Sequence, residues 1–273
     1  MLDHASSWPL PPRYFHAPLV GLFAETNSEF REVRKQHDFF EICETPELAC
    51  QITLQPIHRY AGLLDASIIF CDILVIPKAM GMTIQMIEAK GPTFDDPLVT
   101  PQDISKLKTT VDVKKELGYV MDAITLTRRE LKGRVPLFGF IGAPWTLLAY
   151  MIEGGGSKTF TKAKGWLYKY PEETKDLLQR ITDIAIDFLA EQIIAGAQVL
   201  IPFHFVCNRR LCKFSTRGQE NYHPATLRRF HYPISSRSLQ NYTNCSHPEN
   251  SILLTRVFQL LFSQKVRGTL WRI

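Results

Sequence analysis

Apolar and polar positions along the chain predict helices and buried strands in turn. Thr45-Pro46-Glu47 has the composition of a helix start, with a capping threonine and a proline at the first helical position, and apolar residues at helical spacing follow it. Pro171-Glu172-Glu173 begins the clearest helix, which we expect to stop at Gly196. A third helix is predicted at 117–131, and another is expected to start at Asn27 or Ser28.

Apolar runs with the composition of buried strands lie between the helices, at 19–23, 67–77, 135–141 and 198–205. We also expect a small hairpin or excursion at 80–90, a loop with short turns at 91–111 and a helix on each side of the glycine run 154–156. Because strands alternate with helices, the pattern predicts an α/β protein with a parallel sheet, either open or closed into a barrel.

The alternation ends after Phe205, and the charge changes with it. Residues 201–273 contain 11 Lys and Arg against 2 Asp and Glu, whereas the first 200 contain 21 against 25, so the net charges are +9 and −4. We therefore divide the chain into an irregular segment at 1–28, an α/β unit at 29–205 and a basic tail at 206–273 that we expect to be poorly ordered. A basic tail can also bind nucleic acid or a membrane surface, but this one has no recognised motif.

Composition places the chain among ordinary globular proteins. It has 273 residues, 45% of them hydrophobic and 22% charged, which is enough for one large α/β domain or two small ones. No apolar stretch has the length of a membrane span, and residues 1–12 lack the pattern of a secretory signal. The 6 cysteines form no CxxC pair, which favours reduced thiols. We expect a soluble cytoplasmic protein.

One carboxylate, Asp72, interrupts the apolar run 67–77. An ionised carboxylate in such a run costs several kcal/mol unless it has a partner, takes up a proton or lies at the open end of the strand. Taken alone, it can be a strand-end aspartate that caps the following turn or helix, or a functional carboxylate.

Two other patterns could suggest a phosphate-binding loop or a zinc site, but neither fits. The glycine run 154–156 is followed by Ser157 and Lys158, but it lacks the earlier glycine of a phosphate-binding P-loop, so we predict a turn there instead. Cysteines and histidines of the tail could be grouped as zinc ligands, yet their spacing fits no structural zinc pattern: Cys207, Cys212, His223, His231, Cys245 and His247. We therefore predict no metal site.

Several motifs in the same order resemble one family of enzymes. They are Glu29-Phe30-Arg31-Glu32, Leu54-Gln55-Pro56, Ile68-Ile69-Phe70-Cys71-Asp72-Ile73-Leu74-Val75-Ile76-Pro77, Gly142-Ala143-Pro144-Trp145-Thr146 and Tyr150-Met151-Ile152-Glu153-Gly154-Gly155-Gly156-Ser157. Together they resemble uroporphyrinogen decarboxylase, in a eukaryotic and fungal style. The resemblance covers about residues 29–200.

The resemblance implies a (β/α)8 barrel, of which only about the first half is recognisable. It also implies a homodimeric carboxy-lyase of porphyrin and haem biosynthesis that uses no metal or organic cofactor. Such an enzyme converts uroporphyrinogen, a cyclic tetrapyrrole, to coproporphyrinogen by removing four acetate carboxyl groups. Neither nucleic acid nor a membrane is an expected partner.

The same resemblance implies three site residues. Asp72 matches the central aspartate, which accepts the pyrrole N–H groups of the substrate. Tyr150 matches an active-site tyrosine, although a half-buried helix aromatic would look the same in sequence. Arg34 matches a rim arginine that binds a substrate carboxylate, and its alternative is a solvated helix charge.

Both ends of the chain depart from the family pattern. Two arginines that grip substrate carboxylates precede Glu29 in the family, and an ungapped alignment places Gly21 and Glu25 there. After Leu200, the segments that supply a serine and a histidine do not follow. We expect these ends to come from outside the family, as an unspliced intron or frameshift would produce. The alternative to a working enzyme is a non-catalytic fragment or pseudoenzyme that acts as a binding or dimer partner.

Overall fold

The computed structural model describes residues 27–87 and 90–203. Its elements in chain order are α1 (Ser28–Gln36), α2 (Phe39–Glu44), α3 (Pro46–Arg59), β1 (Ser67–Ile68), α4 (Val75–Ala79), β2 (Ile84–Ile87), β3 (Gly91–Phe94), a 3₁₀ helix (Pro101–Lys106), α5 (Val113–Leu131), β4 (Leu137–Gly142), α6 (Pro144–Glu153), α7 (Thr161–Lys169), α8 (Pro171–Ile194) and β5 (Val199–Phe203). The predicted strand at 19–23 and the basic tail at 206–273 lie outside the described residues.

Parallel strands form the central sheet, in the order β1-β4-β5. The predicted parallel sheet is therefore confirmed, with strands in the expected runs 67–77, 135–141 and 198–205. Helices cover it: α3 packs on α5, α5 on α8, and α6 on α8. No helix in the described part of the chain is both long and apolar enough to cross a membrane.

Local sequence accounts for most helix ends. Pro46 and Pro171 each take the first turn of a helix, where a missing N–H and a fixed φ cost nothing. Asp38 caps α2 with a complete capping box, and Asp112 caps α5 by accepting the Lys115 N–H. The predicted helix starts at Asn27 or Ser28, at 45–47 and at 171–173 are confirmed.

The prediction of a strand over 67–77 is wrong beyond its first two residues. Ile69 N–H makes the last sheet bond to β4 (2.9 Å), and the next residue, Phe70, donates its N–H to the Thr53 side chain of α3 instead (2.9 Å). The chain leaves the sheet there, turns through Asp72 and enters α4. A tertiary hydrogen bond overrides the apolar pattern, which buried strands and buried turns share.

The hairpin was predicted at 80–90 and lies slightly later. β2 and β3 pair in antiparallel register from Ile84↔Phe94 to Ile87↔Gly91, so β3 occupies the start of the segment that we expected to be a loop. Backbone bonds fix the hairpin to the end of α6: Phe94 N–H donates to Gly154 O and Leu98 N–H to Met151 O, each at 2.9 Å.

A buried amide on α8 completes the sheet where β1 departs. The fully buried Gln192 side chain donates to Phe140 O and accepts from Phe140 N–H, both at 3.0 Å. Gly139 makes room for it, because a Cβ there would lie 2.2 Å from Gln192 Oε1. Gln192 lies on the apolar face of the helix, three residues after Leu189, where its sequence position gives no sign of this role.

Candidate functional site

The candidate site lies where the parallel strands of the sheet end. Asp72 follows β1 by four residues, and α6, which carries Tyr150, begins two residues after β4 ends. Because the carboxyl ends of parallel strands lie at one edge, these two side chains come from neighbouring strand ends. This edge is where α/β proteins bind their ligands.

Asp72 is buried with an incomplete set of hydrogen bonds. Its side chain is only 5% exposed, and Oδ2 has no hydrogen-bond partner among the described residues. Burial raises the pKa of Asp72 from 3.8 to about 6, against the opposing effects of the Leu74 N–H, the Lys78 charge and the Ile73 N–H. This carboxylate therefore has one buried acceptor oxygen without a donor among residues 27–87 and 90–203.

Tyr150 is buried within range of the Asp72 charge. The residue is 9% exposed on α6, and its pKa is raised first by burial and then by the negative charge of Asp72. The structure thus brings together two of the predicted site residues. A phenol with a raised pKa stays protonated at neutral pH and can donate a hydrogen bond.

Arg34 has its contacts in the segment that joins α1 to α2. It donates to His37 O (2.7 Å), lies 4.0 Å from the Asp38 carboxylate and stacks over the Phe39 ring at 6.0 Å from its centroid. Phe39 in turn packs against Phe70, two residues before Asp72. The guanidinium is therefore connected to the Asp72 segment through two aromatic rings, and its side chain is 30% exposed.

Several residues near Asp72 were not predicted as site residues from the sequence. Burial raises the pKa of the Cys43 and Cys71 thiols and of the Tyr119 phenol, and the negative charge of Asp72 contributes to each rise. Cys71 Sγ also donates to the Asp72 carbonyl at 3.4 Å. Only Cys71 adjoins Asp72 in sequence; Cys43 and Tyr119 come from α2 and α5 and carried no recognisable signal.

A positive charge on α4 also acts on Asp72. Lys78 on α4 forms an ion pair with Glu44 and lies over the Phe40 ring at 5.0 Å from its centroid. The positive charge of Lys78 lowers the pKa of Asp72, and the negative charge of Glu44 raises it. Within the ion pair, the charge of Glu44 therefore opposes the larger effect of Lys78 on Asp72.

The glycine run joins Tyr150 to the hairpin. Gly154 ends α6 in the left-handed region, with φ of 87°. A Cβ on Gly155 would lie 3.0 Å from Thr93 Cγ2, and one on Gly156 would lie 3.9 Å from Tyr150 Oη. These glycines therefore let β3 approach the end of α6 closely.

Clefts also occur elsewhere on the described surface. One of about 670 Å³ lies between α1 and α3 and includes Glu29, His37 and Gln55, and one of about 470 Å³ is lined by His58 and Arg134 among others. Asp72 and Tyr150 line neither. In residues 27–87 and 90–203, no three His, Cys, Asp or Glu side chains are grouped so as to hold a metal ion.

Comparison with known proteins identifies the family. The family model described as uroporphyrinogen decarboxylase (URO-D) matches residues 18–212, slightly beyond the predicted span of 29–200 at both ends. The chain is 59% identical over 172 residues to uroporphyrinogen decarboxylase of Schizosaccharomyces pombe and 58% identical over 175 residues to that of Danio rerio. These matches cover 63% and 64% of this chain but 48% and 47% of the relatives, so the chain spans about half their length.

A solved structure supports the fold class. A methyltransferase from Methanosarcina mazei superposes with a TM-score of 0.52 at 22% identity, over 74% of this chain and 54% of the other. The predicted class, a (β/α)8 barrel with part of the barrel present, is confirmed. With the family model covering most of its length, the chain belongs to the uroporphyrinogen decarboxylase family.

Proposed function

We propose that this chain is a carboxy-lyase of porphyrin and haem biosynthesis that converts uroporphyrinogen to coproporphyrinogen. The observation that carries the proposal is the buried Asp72 carboxylate, whose Oδ2 has no hydrogen-bond partner among the described residues. Family membership supplies the reaction, and the chain spans about half the length of its relatives.

The substrate has the groups that such an acceptor requires. A porphyrinogen directs pyrrole N–H donors to its centre and carries carboxylates around its rim. Asp72 accepts the pyrrole N–H groups in this proposal. When a pyrrole carbon is protonated, the ring becomes cationic, and the C–CO₂⁻ bond breaks as its electron pair moves into the ring. A carboxylate about 4 Å away stabilises that cation by about 4 kcal/mol at an effective dielectric constant near 20, or about a thousandfold in rate.

Tyr150 and Arg34 have supporting roles in the same proposal. The Tyr150 hydroxyl donates a hydrogen bond to Asp72 or to the reacting acetate, since its raised pKa keeps it protonated. Arg34 binds a rim carboxylate of the substrate, for which a partly exposed guanidinium is suited. No metal or organic cofactor takes part.

Turnover tests the proposal. The full chain is incubated anaerobically with chemically reduced uroporphyrinogen, and the products are oxidised and separated by chromatography. We expect coproporphyrin from the wild type and none from Asp72→Asn. Asp183→Asn, which changes a partly buried carboxylate whose pKa is also raised by burial, is the control and keeps the activity. Turnover that survives Asp72→Asn would contradict the proposal.

A second candidate is a non-catalytic member of the family. The observation in its favour is that the chain spans about half the length of its relatives. Such a protein binds uroporphyrinogen or a second copy of the family without turnover. Quenching of intrinsic fluorescence by uroporphyrinogen, without coproporphyrin, would identify it.

We further propose that the chain forms a homodimer and acts in the cytoplasm, with neither nucleic acid nor a membrane surface as partner. Sedimentation at several concentrations tests the dimer. Fractionation of cells tests the compartment. Binding of duplex DNA or anionic vesicles to the full chain that weakens steeply with salt would contradict the last part.

A further inference from the structure

Thr53 of α3 makes three hydrogen bonds at the point where the chain leaves the sheet. It is 4% exposed, and its hydroxyl donates to Ala49 O (2.7 Å) and accepts the Phe70 N–H (2.9 Å). Its carbonyl accepts from Ser67 Oγ at 3.3 Å. One residue of a helix is thus bonded to both the first residue of β1 and the residue that follows its last sheet bond.

These hydrogen bonds fix the backbone where the chain leaves the sheet. Successive N–H groups of a strand point to opposite sides, so the Phe70 N–H points away from β4 once Ile69 has made the last sheet bond. A buried N–H without an acceptor is costly, and the Thr53 hydroxyl supplies that acceptor. The Phe70 ring is held as well, by Phe30 at 5.6 Å and Phe39 at 5.9 Å between ring centroids.

We propose that Thr53 is a positioning residue for Asp72, which it places by fixing the backbone at Ser67 and Phe70. Asp72 lies two residues after Phe70. A displacement of the Phe70 backbone therefore also displaces the Asp72 carboxylate. Thr53 does not touch the substrate in this proposal, and its catalytic consequence rests on the proposed function.

The charge surroundings of Asp72 do not include Thr53, which makes the titration of Asp72 a useful readout. Among the described residues, the charged and titratable groups that act on Asp72, or on which it acts, include Cys43, Glu44, Cys71, Lys78, Tyr119 and Tyr150. Thr53→Val changes none of them and keeps the shape of the side chain. A change in the Asp72 titration therefore reports a change in its placement.

The experiment compares variants of the full chain labelled with ¹³C at aspartate carboxyl groups. Asp72→Asn identifies the Asp72 signal. We expect Thr53→Val to lower the pKa of Asp72 from about 6 towards 3.8, because a loosened segment admits water, and Thr53→Ser to restore it. Thr174→Val is the matched control, since Thr174 is fully buried and its hydroxyl donates to the Trp166 and Tyr170 carbonyls, where α7 meets α8. With uroporphyrinogen as substrate, kcat of Thr53→Val falls about ten- to a hundredfold.

An unchanged Asp72 titration in a folded Thr53→Val protein would overturn the proposal, as would failure of Thr53→Ser to restore it. If Thr53→Val does not fold, hydrogen exchange of the wild-type Phe70 amide decides. Protection supports the proposal, and exchange at the rate of an open loop refutes it. Absence of turnover in the wild type would count against the proposed function alone, because the titration and the exchange do not depend on turnover.

Discussion

Replacement of Asp72 by asparagine should stabilise the protein at neutral pH. Burial raises the pKa of Asp72 from 3.8 to about 6, so the folded state binds its proton more tightly than the unfolded state. The contribution of Asp72 to the free energy of unfolding is fully present below about pH 3.8 and is lost as the pH rises through about 6. Asparagine is neutral at every pH and avoids the loss.

The magnitude follows from the two pKa values. At about 1.4 kcal/mol per pKa unit, the rise from 3.8 to about 6 corresponds to about 3 kcal/mol above pH 7. About 2 kcal/mol of this falls between pH 4.5 and pH 8. Asparagine also caps turns about as well as aspartate, so little is lost at the Leu74 and Ile73 N–H groups.

Urea unfolding at a series of pH values measures the effect. The free energy of unfolding of Asp72→Asn minus that of the wild type should grow by about 2 kcal/mol from pH 4.5 to pH 8. Asp103→Asn is a control of opposite sign, because hydrogen bonds from the Thr100 and Val99 N–H groups and the bond to Lys106 hold the pKa of Asp103 below its ordinary value. It should destabilise at pH 7, and its effect should fade as the pH falls.

A difference between Asp72→Asn and wild type that is constant across this pH range would refute the reasoning. It would mean that Asp72 has an ordinary pKa in the folded protein, either because water reaches it or because Oδ2 has a hydrogen-bond donor. Destabilisation by Asp72→Asn at every pH would indicate a capping residue instead.

The remaining predictions concern the sheet, the tyrosine and the hairpin. Gly139→Ala should lower the free energy of unfolding by about 2–5 kcal/mol in urea, because its Cβ displaces the Gln192 amide and leaves buried backbone groups unpaired. Gly118→Ala, with nothing within 4 Å of the added Cβ on α5, should raise it by about 0.5–1 kcal/mol. Tyr150→Phe should lower kcat for uroporphyrinogen about a hundredfold in a protein that still unfolds cooperatively in urea. Gly155→Val should speed hydrogen exchange of the β2–β3 amides, because its side chain pushes the hairpin away from α6.

Local patterns in the sequence predicted the elements whose ends are set locally. The starts at Pro46 and Pro171 and the strand at 135–141 are confirmed because a proline at the first helical turn and a run between two turns carry their own signals. The run 67–77 carries no such signal. A buried strand and a buried turn have the same apolar composition, and the hydrogen bond from Phe70 to Thr53 that ends the strand joins residues 17 apart.

The same distinction applies to the candidate site. Asp72 and Tyr150 stand inside recognisable motifs and could be named from sequence, and they remain predictions as site residues. Thr53 and Gln192 could not be identified from sequence. Each is a polar residue in an apolar helix face, and its hydrogen-bond partner lies in a strand or turn that is distant in sequence. A polar residue at a helical position that is otherwise apolar is the one signal that could have drawn attention to them.

Two aspartates of this chain, Asp103 in the 3₁₀ helix and Asp72 before α4, accept backbone N–H groups in opposite electrostatic surroundings. Asp103 accepts the Thr100 and Val99 N–H groups at 2.8 and 3.0 Å and bonds to Lys106, and these contacts lower its pKa. Asp72 also receives backbone N–H groups, yet burial outweighs them and its pKa rises. In a capping aspartate that stabilises the fold, hydrogen bonds outweigh burial and the pKa falls, as at Asp103. A carboxylate for which burial outweighs the hydrogen bonds, as at Asp72, destabilises the fold when it is ionised. A substrate with N–H groups would supply the hydrogen-bond donor that Oδ2 lacks among the described residues.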